Sequence, residues 1–135
     1  MKKKPTKKPI KKPKVKSQKQ CDDLLTPLVK LKHPYCLLCG KPTQVAHHHV
    51  HKSKSLILRH DEENIINLCN SCHCALHHNE SYYASKIIQI KGLPWFESLE
   101  RKKNGILRYP DYNAIYERLQ SRIQELSVDG YKTII

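Results

Sequence analysis

Two Cys-x-x-Cys pairs are the residues of this 135-residue chain with the clearest metal chemistry. Cys36 pairs with Cys39 and Cys69 pairs with Cys72, and 29 residues separate the two pairs. Four thiolates can close a tetrahedral shell around zinc, which leaves no open position for a substrate. The spacing therefore predicts a structural zinc site made by Cys36, Cys39, Cys69 and Cys72, rather than four incidental thiols.

Two further cysteines, Cys21 and Cys74, lie outside these pairs. Cys74 follows Cys72 by two positions, about 200° around a helix axis, so it should not reach the same metal. We expect both to be small packing residues. The chain shows no apolar stretch of the kind that a signal peptide requires, which favours a reducing compartment and metal binding over disulfides.

A second set of candidate ligands consists of histidines. Eight of the nine histidines lie between positions 47 and 78, which assigns them to the same unit as the cysteines. His73 and His77 are four residues apart, so in a helix both rings project from one face. Cys72 lies about 100° from His73 around that helix. One helix could therefore serve two metals on different faces.

Three consecutive histidines, His47 to His49, precede this helix. In a strand, His47 and His49 share one face and His48 faces the other way. Periodicity alone leaves open which ring binds a metal and which remains free. A merely polar histidine run is the alternative, and its place between the two cysteine pairs argues against it.

Local patterns predict the elements that position these residues. A helix is expected from Cys21 to Leu31, where leucines recur at helical spacing and Pro27 lies in the first turn. The next elements are a zinc knuckle at residues 36–40, a strand at 43–50, a return strand through residues 56–58, and a helix from Asn70 or Ser71 to His77. Helices follow at residues 81–90 and 95–103, and a last helix is capped by Asp111 and ends near Gly130.

The basic charge is concentrated in residues 1–20, which contain ten lysines and no acidic residue, whereas residues 21–135 carry 15 basic and 12 acidic residues. Because this segment has few apolar residues to bury, we predict a disordered tail. It could bind a polyanion such as nucleic acid in a salt-dependent way, or act as a solubilising tail or a nuclear address. No run approaches the length of a membrane span, so no membrane partner is expected.

The order of these residues resembles HNH endonucleases of the ββα-metal kind, including the four-cysteine zinc that many members carry. The resemblance lies in Ala46-His47-His48, in the segment from Leu58 to Asn64, and in Leu68-Cys69-x-x-Cys72-His73. It covers about residues 21–103 and extends to phage-encoded or prophage-encoded members. The final helix and the lysine-rich tail lie outside it.

The resemblance implies an α+β fold: a small ββα-metal core at residues 21–79, a helical extension at 80–135 and the tail at 1–20. His47, His73 and His77 would bind a catalytic divalent cation (Mg²⁺, Mn²⁺, Ni²⁺ or Zn²⁺), and His48 would be the general base. Asn64 would hold the loop that orients the base. His48, Asn64 and His73 are thus the candidate catalytic residues, and a shift by one residue would give His48 and His49 the ligand and base roles.

The implied function is metal-dependent hydrolysis of phosphodiester bonds in DNA, in the cytoplasm of a host cell if a phage encodes the chain. Lys52, Lys54 and Arg59 could contact the phosphates, although a solvated loop would also account for them. A zinc module that binds nucleic acid without catalysis is the main alternative. A recombination or repair factor that acts on branched DNA is another, and it differs in substrate rather than in chemistry.

Overall fold

The computed structural model describes residues 15–107 and 109–134. It is a mixed α+β structure, mostly helical, with one two-stranded sheet among the described residues. In chain order the elements are α1 (Gln18–Asp22), α2 (Leu25–Lys32), β1 (Val45–His48), α3 (Leu56–Arg59), a 3₁₀ turn (Glu62–Asn64), β2 (Ile65–Leu68), α4 (Asn70–His78), α5 (Glu80–Lys91), α6 (Leu93–Lys103) and α7 (Tyr112–Ile134). The α+β prediction is confirmed at this level.

The two strands are antiparallel, and their register pairs Val45 with Leu68 and His48 with Ile65. All four residues of β2 are buried, so this strand lies between layers of helices rather than at the surface. The return strand predicted at residues 56–58 is wrong, because α3 occupies that stretch. Ser55 caps α3 by accepting a hydrogen bond from the Leu58 amide, which places the Leu58 side chain in the core.

The predicted helix from Cys21 to Leu31 is two helices, α1 and α2. A continuous helix would require the nitrogen of Pro27 to donate to the Asp23 carbonyl, and proline has no N–H. α1 begins at Gln18, inside the stretch predicted to be a disordered tail. Ser17 and Gln20 form a reciprocal capping box that stabilises this start. Residues 1–14 of the predicted tail lie outside the described residues.

α7 covers α1 and α2. Its Leu119 is buried against Leu25, Leu28 and Cys21, and the Cys21 thiol donates to the carbonyl of Tyr112. The prediction that Cys21 is a packing residue is confirmed, whereas Cys74 is exposed and the same prediction for it is wrong. The helix begins as predicted, with the Asp111 carboxylate accepting from the Ala114 amide.

The predicted end of α7 at Gly130 is wrong, since the helix continues to Ile134. A glycine inside a helix costs about 1 kcal/mol relative to alanine, which is too little to end a helix by itself.

The predicted helices after the cysteine pairs are confirmed as α4, α5 and α6. Leu76 of α4, Ile87 of α5 and two residues of β2 (Ile66 and Leu68) share one apolar cluster, and Leu99 of α6 packs with Leu58 in another. Cys69, rather than Asn70 or Ser71, caps α4, because its sulfur accepts from the Cys72 amide. None of the described helices has the length and apolar character needed to cross a membrane.

We predict that Leu119→Ala lowers the free energy of unfolding by about 2–5 kcal/mol, because it leaves a cavity between α7 and α2. Urea denaturation followed by circular dichroism measures the loss. Glu117→Ala, at an exposed position of the same helix, is the matched control and should change stability little. Equal stability of the two variants would contradict the packing of α7.

Candidate functional site

The four predicted zinc ligands come together in the structure. The Sγ atoms of Cys36, Cys39, Cys69 and Cys72 all lie within 4.8 Å of one another, and those of Cys39 and Cys69 are 3.5 Å apart. Zinc–sulfur bonds of about 2.3 Å in a regular tetrahedron place the sulfurs about 3.8 Å apart. The cluster fits this geometry, so it could bind a structural zinc ion.

Local backbone structure positions each cysteine pair. The first pair lies in a tight turn in which the Cys36 amide donates to the Lys41 carbonyl and the Gly40 amide donates to the Cys36 carbonyl. Gly40 has a φ of +78°, a conformation that favours glycine. The second pair lies where β2 passes into α4. A metal at this point would join the turn to the start of α4.

The ionisation of these thiols also favours a cation. A hydrogen bond from the Cys72 amide lowers the pKa of the Cys69 thiol to about 7. Burial, followed by the neighbouring thiols, raises the pKa of Cys72. Four thiolates at this separation repel one another, so a bound divalent cation is the charge that would let all four ionise.

The predicted catalytic histidines lie in a separate cleft of about 380 Å³. The cleft is lined by Asp22, Leu25, Thr26, Ala46, His47, His48, His51, Lys52, His73 and His77. β1 supplies two of the histidines and α4 supplies two more. The structure therefore brings His47, His48, His73 and His77 to one cavity.

The three predicted metal-binding rings are neighbours. The ring centroids of His47 and His73 are 5.3 Å apart, and those of His73 and His77 are 4.5 Å apart. The ligand atoms of the four cysteines all lie within 4.8 Å of one another. Among the described residues, the ring nitrogens of His47, His73 and His77 do not come together as closely as this. The rings are adjacent without pointing at one shared position.

Burial keeps the imidazoles of His47 and His73 uncharged. The pKa of His47 is lowered to about 3, first by burial and then by the nearby His73. The pKa of His73 is also lowered, by burial and by His77. A neutral imidazole has a free nitrogen lone pair, so both rings are suited to bind a metal at neutral pH.

His48 faces the cleft in a defined tautomer. Its Nε2 lies 2.8 Å from the carbonyl oxygen of Arg59. A carbonyl can only accept, so Nε2 carries the ring proton and Nδ1 has the lone pair. Burial lowers the pKa of His48. The ring is therefore a neutral base with one nitrogen free.

His49 lies apart from this cleft. Its ring packs against α6, with centroid distances of 4.8 Å to Trp95 and 6.3 Å to Phe96. The side chain of His49 is not among those that line the cleft. Of the two registers considered for the ligand and base, only the His47 and His48 register has both rings in the cavity.

Asn64 is fully buried and joins the two segments beside the cleft. Its Oδ1 accepts from the Val50 amide at 2.7 Å. Its Nδ2 donates to the carbonyls of Val50 and Leu58 at 3.0 and 3.1 Å. Asn64 thus joins the loop after β1 to the end of α3.

The three predicted phosphate contacts differ in position. Lys52 lines the cleft, whereas Lys54 is exposed in a neighbouring groove with His49 and His51. Arg59 is bound by Asp22, whose carboxylate accepts from Nε at 2.9 Å and from Nη2 at 2.7 Å. In this arrangement the Arg59 guanidinium is engaged within the protein rather than open to a phosphate.

Sequence reasoning missed the role of Asp22 in the cleft and the burial of His60. His60 is buried and its Nε2 donates to Asp22 at 2.8 Å. The partners of Asp22 are 37 and 38 positions away, so no local spacing pattern identifies them. The aspartate looked like an ordinary acidic residue near a helix N-terminus.

Comparison with known families gives one match. The family described as Bacteriophage Lambda NinG protein has a model that matches residues 1–129. No curated protein and no solved structure matches the chain. The family match supports the prediction of a phage-encoded protein.

We predict that the purified chain carries one zinc ion and that Cys39→Ser releases it, because three thiolates and a hydroxyl hold zinc more weakly than four thiolates. Elemental analysis and the melting temperature before and after chelation measure this. Cys74→Ser changes the other exposed cysteine and is the matched control, expected to retain the metal. Full zinc content in Cys39→Ser would contradict the assignment.

We predict that Asn64→Ala lowers the free energy of unfolding by about 3 kcal/mol or more, since each buried group left unpaired costs about 1–3 kcal/mol. Denaturant titration measures the change. Asn79→Ala is the control, because that side chain is exposed and makes no cap hydrogen bond. A loss in Asn64→Ala no greater than in the control would contradict the role of Asn64 in joining the two segments.

Proposed function

The chain belongs to the family of Bacteriophage Lambda NinG protein, and on that premise we propose that it is a metal-dependent DNA endonuclease of the HNH kind. The observation that carries the proposal is the common cleft of His47, His48, His73 and His77. It combines three candidate ligands with a separate base. Family membership by itself specifies no reaction.

His47, His73 and His77 would hold the catalytic cation. Metal–nitrogen bonds of about 2.0–2.1 Å place two coordinated imidazole centroids about 5 Å apart. The centroid separations of 5.3 and 4.5 Å are close to this value. The bound cation (Mg²⁺, Mn²⁺, Ni²⁺ or Zn²⁺) supplies Lewis acidity to the phosphate and the departing oxygen.

His48 would act as the general base. Its Nδ1 lone pair can accept a proton from a water molecule that attacks the phosphorus atom. The hydrogen bond from Nε2 to the Arg59 carbonyl holds the ring in the tautomer that this step requires. The lowered pKa of His48 means that the ring is uncharged and ready to accept a proton at neutral pH.

The surrounding elements support the same reading. β1 carries His48, β2 pairs with β1, and α4 carries His73 and His77. A strand, a second strand and a helix in this order are typical of ββα-metal nucleases. Asn64 joins the loop after β1 to α3 and so stabilises the strand end that bears His48. The four-cysteine cluster anchors the start of α4 from its other side.

DNA is the proposed substrate because the chain offers positive charge next to the cleft. Lys52 lies on the wall of the cavity, where an ammonium group can contact a phosphate that flanks the cleaved bond. Residues 1–20 add ten lysines. Such a segment raises affinity for any nucleic acid by releasing counterions and makes binding depend strongly on salt.

We predict that the chain nicks supercoiled plasmid DNA in the presence of Mg²⁺, Mn²⁺ or Ni²⁺ and that His48→Ala reduces the rate by about 10²–10⁴-fold, the usual contribution of a general base. Gel electrophoresis of the relaxed product measures the rate. His78→Ala removes an exposed histidine of α4 that does not line the cleft, so it should leave the rate unchanged.

Two outcomes decide between the alternatives. Tight DNA binding with no cutting in any of these metals would favour a zinc module without catalysis and would contradict the nuclease. Cutting of branched DNA in strong preference to linear duplexes would keep the chemistry and identify a recombination or repair substrate.

A further inference from the structure

A single carboxylate, that of Asp22, accepts hydrogen bonds from both side chains that flank the peptide bond next to His48. Asp22 Oδ1 accepts from Arg59 Nε and from His60 Nε2, at 2.9 and 2.8 Å. Its Oδ2 accepts from Arg59 Nη2 at 2.7 Å. The Arg59 and His60 side chains are only 14% and 3% exposed, so water competes little for these bonds.

The peptide bond between Arg59 and His60 contains the carbonyl that accepts from His48 Nε2. The orientation of the proposed base therefore depends on where this one oxygen atom points. A rotation of that peptide would remove the acceptor and allow the ring to turn or to change tautomer.

α3 alone does not fix this peptide. It has four residues, and a single helical turn is not stable without outside contacts. The neighbouring carbonyls are anchored, since Leu58 accepts from Asn64 Nδ2 at 3.1 Å and His60 accepts from Arg118 Nη2 at 2.8 Å. Between these two carbonyls, Asp22 holds the side chains of Arg59 and His60 on either side of the peptide bond.

We propose that Asp22 is a positioning residue: by holding Arg59 and His60 it fixes the carbonyl that orients the His48 ring. This inference rests on the proposed function for its catalytic consequence. The orientation of the ring can be measured without catalysis, so the two proposals can fail separately.

A direct role in DNA binding does not account for the position of Asp22 in the cleft. The carboxylate lines a cleft that would receive phosphates, and a negative charge there repels them. Removing it should leave DNA affinity unchanged or higher. A purely structural ion pair, in contrast, would affect stability without affecting turnover of the folded protein.

Glu62 provides a matched control for a structural ion pair. Its carboxylate accepts from Arg122 Nε at 3.1 and 3.2 Å and lies 3.4 Å from Lys32 Nζ. The Glu62 side chain is 22% exposed, compared with 24% for Asp22. Both residues link helices distant in sequence, but Glu62 does not line the histidine cleft.

The experiment compares Asp22→Ala, Asp22→Asn and Glu62→Ala in the zinc-loaded full chain. For Asp22→Ala we expect kcat for plasmid nicking to fall by about 10- to 100-fold, part of the contribution of a general base, with no rise in KM or in the dissociation constant for DNA. Asp22→Asn keeps one acceptor oxygen, so it should fold even if the alanine variant does not, and should lose less activity. Glu62→Ala should keep kcat.

Nitrogen-15 NMR of the His48 ring at one pH is the second measurement. The wild-type ring should show a protonated Nε2 and an unprotonated Nδ1, and the two Asp22 variants should shift toward a mixture of tautomers. Wild-type kcat and an unchanged tautomer in a folded Asp22 variant would overturn the proposal. A tautomer shift in a chain that cuts no DNA would support the positioning role while removing the nuclease.

Discussion

Four sulfur atoms within 4.8 Å of one another connect the turn after α2 to the junction of β2 and α4. In the part of the chain that the structure describes, the buried apolar residues fall into three small clusters, and the sheet has two strands. Such a structure has limited apolar burial with which to hold its parts in register. Cys69 of this cluster caps α4 through its sulfur, so the cluster lies at the start of the helix that carries His73 and His77.

The position of His48 in the histidine cleft then depends on two polar connections behind the strand that carries it. Asn64 joins the loop after β1 to α3, and the Arg59 carbonyl receives the His48 N–H. Both connections use backbone groups that a helix or a sheet would otherwise occupy. The short, irregular segment between the strands is thus ordered by side chains rather than by regular hydrogen bonding.

Much of this arrangement could be predicted from local spacing. The cysteine pairs, the i and i+4 histidines and the last four helices follow from patterns within a few residues of one another. The pairing of β1 with β2 could not be predicted in this way, because the apolar residues 56–58 fit either a strand or a helix. Ser55 favours the helix by capping α3. The distinction between His48 and His49 likewise depends on α6, whose Trp95 and Phe96 pack against His49. Asp22 was beyond prediction because its partners are distant in sequence.

The packing of α7 has a consequence for synthesis of the chain on the ribosome. Leu119 closes the core of α1 and α2, and Arg118 binds the carbonyl of His60 beside the cleft. These contacts come from a helix that is translated after every residue that lines the cleft. A nascent chain whose cysteines and histidines have already left the ribosome therefore still lacks the helix that packs against α1, α2 and the His60 carbonyl, so these supports form only after α7 has been translated.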